Sequence, residues 1–229
     1  MTNQPNLIIT IARQVGAGGA ELGQRLAKRL GIAYLDREIL RLAAEQVGVK
    51  ADSIAEWDER VSSFWERWVD SLAIGVPESM YTAMPVATVR DASVFDAEAR
   101  VINEVADRRS AVIIGRAGFW VLRDRPGLVR LFVHAPMEAR IPVVMRAVKL
   151  PTEKEARAAI QSMDRERSEF VDSVTGKNNV DANNYDLSIN TALIGMDLAE
   201  ELAMRVIDRV RAKLPASAPG ATPASPIAP

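Results

Sequence analysis

Cysteine is absent from this sequence, and histidine occurs once, at His134. The lack of cysteine excludes a disulfide framework and a thiolate metal site, and a single histidine excludes a histidine-clustered metal centre. A Ser-His-Asp triad would have only this one histidine as its base. Neither charge sign dominates, since 29 lysine and arginine residues face 30 aspartate and glutamate residues. Nothing in this balance favours a nucleic-acid partner, which would need a basic face.

Long apolar runs are also missing, and none approaches the roughly 20 residues that a membrane-spanning helix needs. The first residues, Met-Thr-Asn-Gln-Pro-Asn, lack the basic stretch and apolar core of a signal peptide. We therefore expect no membrane partner and a soluble protein of the cytoplasm. With 229 residues, 48% of them hydrophobic, the chain is long enough to bury a full core.

What the chain does contain is an alternation of short apolar segments with helical patterns. The apolar segments, predicted as buried strands, are Leu7–Ala12, Ile32–Leu35, Ala111–Gly115, Val129–His134 and Tyr185–Asn190. The predicted helices are Gly19–Leu30, Phe95–Asp107, Glu153–Ser168 and Met196–Ala212. Of these, Glu153–Ser168 is highly charged and is expected to face solvent. The alternation predicts a parallel sheet with helices on both faces.

Two segments do not fit a minimal α/β unit. Residues 48–92 form an insert whose apolar residues recur at helical spacing, and it holds Trp57, Trp65 and Trp68. One interpretation is a helix packed on the core. The other is an exposed patch, residues 57–72, that forms a homo-oligomer or closes over a ligand. Residues 214–229, rich in proline and alanine, are predicted to be a disordered tail.

A glycine-rich loop follows the first predicted strand and leads at once into a helix, which is the layout of a phosphate-binding P-loop. We call residues 13–19 the phosphate loop. Its glycines, Gly16 and Gly18, would let backbone N–H groups turn toward phosphate oxygens at a helix N-terminus. The usual lysine is replaced by Gly19, the hydroxyl residue after it by Ala20, and the first glycine by Arg13. We hypothesise that Arg13 supplies the missing positive charge; a plain tight turn is the alternative interpretation.

Further charged residues follow the other predicted strands, at the edge where open α/β sheets bind ligands. Asp36 and Arg37 end the second strand, and Arg116 follows the third. Arg140 and Arg146 lie on one predicted helix after the fourth strand. Phosphoryl transfer requires such cations, because charge on the moving group must be neutralised. A solvated ion pair is the alternative for each, but Arg116 directly follows a buried run and would be costly there without a partner. Downstream lie Asp164, Arg165 and Arg167.

On these residues the chain resembles the cytidylate kinase-like family, a branch of the P-loop nucleoside monophosphate kinases. The resemblance spans residues 7 to 212. The motifs that carry it are Ile9-Thr-Ile-Ala-Arg-Gln-Val-Gly-Ala-Gly-Gly19, Tyr34-Leu-Asp-Arg37, Ile114-Gly-Arg-Ala117, Arg123-Asp-Arg-Pro-Gly127, Leu131-Phe-Val-His-Ala-Pro136 and Asn184-Tyr-Asp-Leu-Ser-Ile-Asn-Thr191.

The resemblance implies a three-layer α/β/α P-loop fold of the nucleoside monophosphate kinase type, with a five-stranded parallel sheet, a helical insert and an arginine-bearing lid. It implies a kinase domain over residues 1–213 with its lid near residues 147–180. ATP and Mg²⁺ are the implied donor system, and CMP or dCMP is the implied acceptor. The donor-binding residues that it implies are Gly16, Ala17, Gly18, Gly19, Ala20 and Glu21.

The resemblance also implies which residues bind the acceptor. Asp36, with Arg37 beside it, matches an aspartate that binds the acceptor nucleoside, and Arg116 matches an arginine that grips the acceptor phosphate. Arg140 and Arg146 fall in the helix that leads to the lid.

The chain also departs from the family pattern. Ala117 replaces the aspartate of the Gly-Arg-Asp motif, and an Asp-Thr-Gly sequence is here Asp36-Arg37-Glu38. With no hydroxyl residue after the lysine position, Glu21 becomes the candidate Mg²⁺ ligand.

Three functions remain open at this point. The first is a kinase in which Arg13, Arg116, Arg140 and Arg146 neutralise the transferred phosphoryl group. The second is a nucleotide-binding protein without catalysis, which acts by association through the tryptophan-rich insert. The third is a scaffold or homo-oligomer whose site is empty.

Overall fold

Five parallel strands form one sheet in the part of the chain that the computed structural model describes, residues 5–36 and 92–214. The strands are β1 (Ile8–Arg13), β2 (Ala33–Leu35), β3 (Ala111–Ile114), β4 (Leu128–His134) and β5 (Leu187–Asn190). Their order across the sheet is β2-β3-β1-β4-β5, with Ile8 of the central strand opposite Ala111 on one side and Leu128 on the other. Because all strands run the same way, their carboxyl ends share one edge.

Helices of the described ranges connect these strands. They are α1 (Gly19–Leu30), α2 (Ala92–Arg108), α3 (Gly118–Val121), α4 (Met137–Val148), α5 (Glu153–Thr175) and α6 (Thr191–Arg211), with a 3₁₀ helix at Ala182–Asn184. None of these helices is both long and apolar enough to cross a membrane.

The core lies on both faces of the sheet, as expected when every central strand is a near-continuous apolar run. Leu26 of α1 and Ile207 of α6 are fully buried against one face. Ile102 of α2 is fully buried against the other. Burial of each such side chain stabilises the fold by about 1.5–3 kcal/mol. The sheet with helices on both sides confirms the predicted three-layer α/β/α class.

The structure also corrects several boundaries. The predicted helix Glu153–Ser168 continues to Thr175, and it is not simply solvent-facing, because Ala156, Ile160 and Val171 are buried. The predicted helix Met196–Ala212 is preceded by a turn from Thr191, and Gly195 between them has non-helical angles (φ 76°, ψ 167°). By contrast, α1 has the bounds that were predicted, and Gly31 ends it in the left-handed conformation.

Two predicted segments cannot be compared with the structure. The insert, residues 48–92, lies outside the described residues except at Ala92, and with it the association patch of residues 57–72. The predicted tail, residues 214–229, lies outside them except at Leu214.

Candidate functional site

The phosphate loop joins β1 to α1 through two left-handed glycines. Gly16 has φ 75° and Gly18 has φ 78°, a region that residues with a Cβ seldom adopt. Space is short as well, because a Cβ on Gly16 would lie 2.9 Å from Val144 Cγ2, and one on Gly18 would lie 2.7 Å from Met196 Cε. Gly18 is the N-cap of α1 and offers no side-chain cap, so the first N–H groups of the helix remain for an anion.

The Arg13 side chain occupies the position that the P-loop lysine would need. A Cβ on Gly19 would lie 2.7 Å from Arg13 Cβ and 2.8 Å from Arg13 Cδ, distances that no side chain tolerates. At its far end, Arg13 Nη1 lies 3.3 Å from the position of a Cβ on Gly115. The arginine therefore runs across the start of α1 and ends beside the turn that follows β3.

Arg140 and Asp164 bracket the phosphate loop at Val15. The Val15 N–H donates to Asp164 Oδ1 at 2.8 Å, and Arg140 Nη1 donates to the Val15 carbonyl at 3.3 Å. The two side chains also pair with each other, with Arg140 Nη1 2.5 Å from Asp164 Oδ2. Arg140 is only 5% exposed. This bracket ties α4 and α5 to the backbone of the loop.

Other side chains hold the remaining carbonyl groups of the loop. Thr191 Oγ1, at the start of α6, donates to the Ala17 carbonyl at 2.8 Å. Arg167 Nη1 on α5 donates to the Arg13 carbonyl at 3.3 Å. Together with the Arg140 bond, these contacts bind the carbonyls of alternating residues 13, 15 and 17. The carbonyl groups of residues 13, 15 and 17 thus accept from protein donors, and the Ala17 N–H donates within the loop to the Gln14 carbonyl at 3.3 Å.

Arg116 lies in a strained turn at the end of β3. Gly115, Arg116 and Ala117 all have positive φ, at 73°, 51° and 52°. For a residue with a Cβ this conformation costs about 1–2 kcal/mol, and it persists only where surrounding contacts impose it.

Two neighbours supply those contacts. Arg116 Nε and Nη2 both donate to Glu98 Oε2 on α2, the first at 2.6 Å. The guanidinium carbon also lies 4.0 Å from the centre of the Phe170 ring on α5. The predicted need of Arg116 for a partner is met by this buried carboxylate, since the Glu98 side chain is 2% exposed.

The other charged residues predicted for the site are Asp36, Arg37, Arg146 and Glu21. Asp36 is buried at the carboxyl end of β2, and Arg37 lies outside the described residues. Arg146 is exposed on α4 and bonds to the Pro142 carbonyl of its own helix at 3.3 Å. Glu21 pairs with Arg25 on α1 at 2.9 Å. The stronger hydrogen bond of Arg25 is to Asp197, and it raises the pKa of this exposed guanidinium.

The described ranges contain no group of three acidic or histidine side chains that could hold a metal ion. Ala20, at the position of the usual hydroxyl residue, is buried and has no oxygen ligand in its side chain.

Sequence reasoning missed Glu98, Phe170 and the bond from Thr191. A signal for Glu98 was present, because Ile102 and Val105 follow it at helical spacing on a buried face. A carboxylate on an apolar face requires a partner. The bond from Thr191 to Ala17 had no comparable signal, since the two residues are 174 positions apart.

Comparisons with known proteins agree with this architecture. A family model described as "Cytidylate kinase-like family" matches residues 8–193. Among solved structures, an uncharacterized protein from Eubacterium ventriosum ATCC 27560 is 20% identical with a TM-score of 0.66, over 89% of this chain and 99% of that one. At that identity the likeness shows the fold alone. No curated protein sequence matches significantly.

Two more distant structures were also found. A shikimate kinase from Bacteroides thetaiotaomicron is 13% identical with a TM-score of 0.48, over 88% of this chain and 98% of that one. A gluconokinase from Sinorhizobium meliloti 1021 is 12% identical with a TM-score of 0.46, over 92% and 98%. Similarity this weak carries no argument about function. The family match, which covers most of the chain, confirms the resemblance: the chain belongs to the cytidylate kinase-like family and is a P-loop kinase-like protein.

Proposed function

We propose that this protein transfers the γ-phosphoryl group of ATP to a nucleoside monophosphate, with CMP or dCMP as the favoured acceptor. The observation that carries the proposal is the course of Arg13, which runs from the start of α1 to the Gly115–Arg116 turn. A cation in that position lies between a loop of donor N–H groups and the arginine proposed for the acceptor. Family membership supports the same reaction class.

On the donor side, the N–H groups of residue 16 and of residues 18–21 bind the phosphates of ATP at the N-terminus of α1. Arg13 takes over the electrostatic role of the P-loop lysine, since its stem covers Gly19. Arg140 keeps the loop in shape through Val15, and Arg146 on the same helix approaches the phosphates only if α4 or its side chain moves.

On the acceptor side, Asp36 and Arg37 bind the nucleoside, and Arg116 binds the phosphate. An oxygen of the acceptor phosphate forms a bond to the γ-phosphorus while the bond from that phosphorus to the β–γ bridging oxygen breaks, which releases ADP. The protein contributes positioning and charge neutralisation and no covalent intermediate.

Mg²⁺ supplies charge neutralisation on the donor phosphates when it is bound, and it enters with ATP. Glu21 is the carboxylate closest in sequence to the loop, but it pairs with Arg25 at 2.9 Å. Mg²⁺ is commonly held by one or two carboxylates together with phosphate oxygens and water, so a full protein cage is not required.

A coupled assay of ADP release tests the proposal across nucleoside monophosphates with ATP and Mg²⁺. We expect one acceptor to be phosphorylated and Arg116→Ala to lower kcat/KM by about 10²–10³-fold. Arg123→Ala is the matched control, because Arg123 is an exposed arginine that contacts Trp120 and not Glu98. Thermal stabilisation by ATP without turnover of any acceptor would instead support the binding protein without catalysis.

A further inference from the structure

Glu98 is a buried acid that the reaction described above does not use. Glu98 lies on α2, which packs on the opposite face of the sheet from α1. Its side chain is 2% exposed. A carboxylate buried to that degree is stable in its charged form only with a cationic partner in good geometry. Arg116 is such a partner, and it binds the carboxylate through two nitrogen atoms.

The contact fixes more than charge. Because Nε and Nη2 both donate to Glu98 Oε2, this edge of the guanidinium faces the carboxylate and its other edge faces away from it. The ring of Phe170 lies 4.0 Å from the guanidinium carbon and restricts its tilt. Phe95, three residues before Glu98 on α2, meets Phe170 edge-on at 5.8 Å between ring centres. The arginine is therefore clamped between two helices.

The backbone supports this interpretation independently. Arg116 has φ 51°, a conformation that a freely solvated arginine has no reason to adopt. The turn aims the start of the side chain, and Glu98 determines where it ends.

We propose that Glu98 is a positioning residue of the acceptor site, which holds the Arg116 guanidinium in the orientation that receives an acceptor monophosphate. The proposal rests on the proposed function. Glu98 itself touches no substrate. Its effect is transmitted through Arg116, and Phe170 is the second half of the clamp.

The test is steady-state kinetics of Glu98→Gln with the acceptor found in the assay above. We expect the KM for the acceptor to rise about tenfold or more, while kcat and the KM for ATP stay within about threefold, because binding in ground and transition states is lost together. Glu98→Asp should recover part of the loss. Glu104→Gln is the matched control, since Glu104 on the same helix pairs with Arg108 instead.

A second measurement distinguishes a positioning role of Glu98 from a purely structural one. In an Arg116→Lys background, the effect of Glu98→Gln on acceptor KM should largely disappear, because lysine has a single side-chain nitrogen and cannot bind Glu98 through two. Where Glu98→Gln fails to fold, Phe170→Leu tests the other half of the clamp and should raise acceptor KM by about threefold or more.

The outcomes separate the two proposals. An active wild-type protein whose acceptor KM is unchanged by Glu98→Gln, or is raised equally in the Arg116→Lys background, overturns the role of Glu98 alone. A wild-type protein that phosphorylates no monophosphate overturns the proposed function and this inference with it.

Discussion

The residue types at positions 13 and 19 depend on each other, because the two positions compete for the same space. The stem of Arg13 lies where a side chain at position 19 would begin, so the two positions cannot both carry long side chains. In this structure the space beside Gly19 is occupied by an arginine that enters from the end of β1 and not from the start of α1.

This relation predicts that restoring the lysine will fail. Gly19→Lys should lower the free energy of unfolding by about 1–3 kcal/mol through overpacking, and it should lower kcat and not raise it. In Arg13→Gly/Gly19→Lys every side-chain atom of residue 13 that crowds position 19 is removed, so melting temperature and kcat should both exceed those of Gly19→Lys. Thermal unfolding and the coupled assay measure the two effects. A fully active, stable Gly19→Lys protein would contradict the proposed place of Arg13.

Tyr185, just before β5, predicts a pH dependence of stability. Burial raises the pKa of its hydroxyl, and the charge of Asp181 adds to the shift. The hydroxyl donates to the Asn179 carbonyl at 2.6 Å. Because the folded pKa lies above the unfolded value of about 10, the neutral hydroxyl stabilises the fold fully below pH 10, and this contribution is lost as pH rises through the folded pKa.

Tyr185→Phe isolates that contribution. At neutral pH the variant should be less stable by about 1 kcal/mol, the value of the lost hydrogen bond. Above about pH 10 the difference in unfolding free energy between the variant and the wild type should shrink. The reason is that only the wild-type protein must keep this hydroxyl protonated in order to stay folded. Urea unfolding from pH 7 to 11 measures both curves. If the unfolding free energies of the two proteins fall in parallel above about pH 10, Tyr185 is not responsible for the loss of stability at alkaline pH.

At the scale of elements, α5 is the helix that joins the two halves of the site. Asp164, Arg167 and Phe170 are three residues apart along it and contact Val15, Arg13 and Arg116 respectively. A spacing of three places them along one side of the helix. The segment predicted as a lid thus contacts both the phosphate loop and Arg116 in this structure, while its assignment as a moving lid remains a prediction.

Asp164→Asn tests the bracket that α5 forms with α4. The neutral side chain leaves the buried Arg140 without its counter-charge, so we expect a loss of about 1.5–3 kcal/mol in unfolding free energy and a raised KM for ATP. Asp172→Asn is the control, because Asp172 is an exposed aspartate on the same helix. An unchanged KM for ATP in Asp164→Asn would show that the bracket has no part in shaping the donor site.

For the whole molecule, the parallel sheet explains why these residues meet at all. The phosphate loop, Asp36 and Arg116 each follow a strand, at the ends of β1, β2 and β3. The three strands lie side by side in the order β2-β3-β1, so their carboxyl ends form one continuous edge. Arg116 thus lies between the predicted nucleoside residue and the phosphate loop.

Since α5 contacts both halves, we predict that donor and acceptor bind cooperatively. A non-hydrolysable ATP analogue should tighten CMP binding, within the range of about 5–150-fold that is typical of coupled sites, and CMP should tighten the analogue equally. Phe170→Leu should reduce this coupling and leave binding of the analogue alone unchanged. Calorimetric titrations of each ligand with and without the other measure it. Independent binding in the wild-type protein would contradict the role given to α5.

Much of the fold could be predicted from local patterns. Apolar runs placed every strand within two residues of its observed bounds, and Gly31 marked the end of α1. The longer α5 was missed because its last turns, Glu169–Thr175, contain three β-branched residues among charged and polar ones, and only Val171 of them is buried. Local sequence does not show which of those side chains meets another element.

The sequence by itself determined the order of strands and helices, the glycine loop and the family, because each is written in neighbouring residues or in short motifs. Only the tertiary structure decided which groups the loop and the arginines meet. Asp164 reaches Val15 across 149 positions, and Arg13 covers Gly19 because the chain turns back on itself at Gly16 and Gly18. Such contacts depend on side-chain direction and on helix placement over the sheet, and neither of these is encoded at any fixed spacing along the chain.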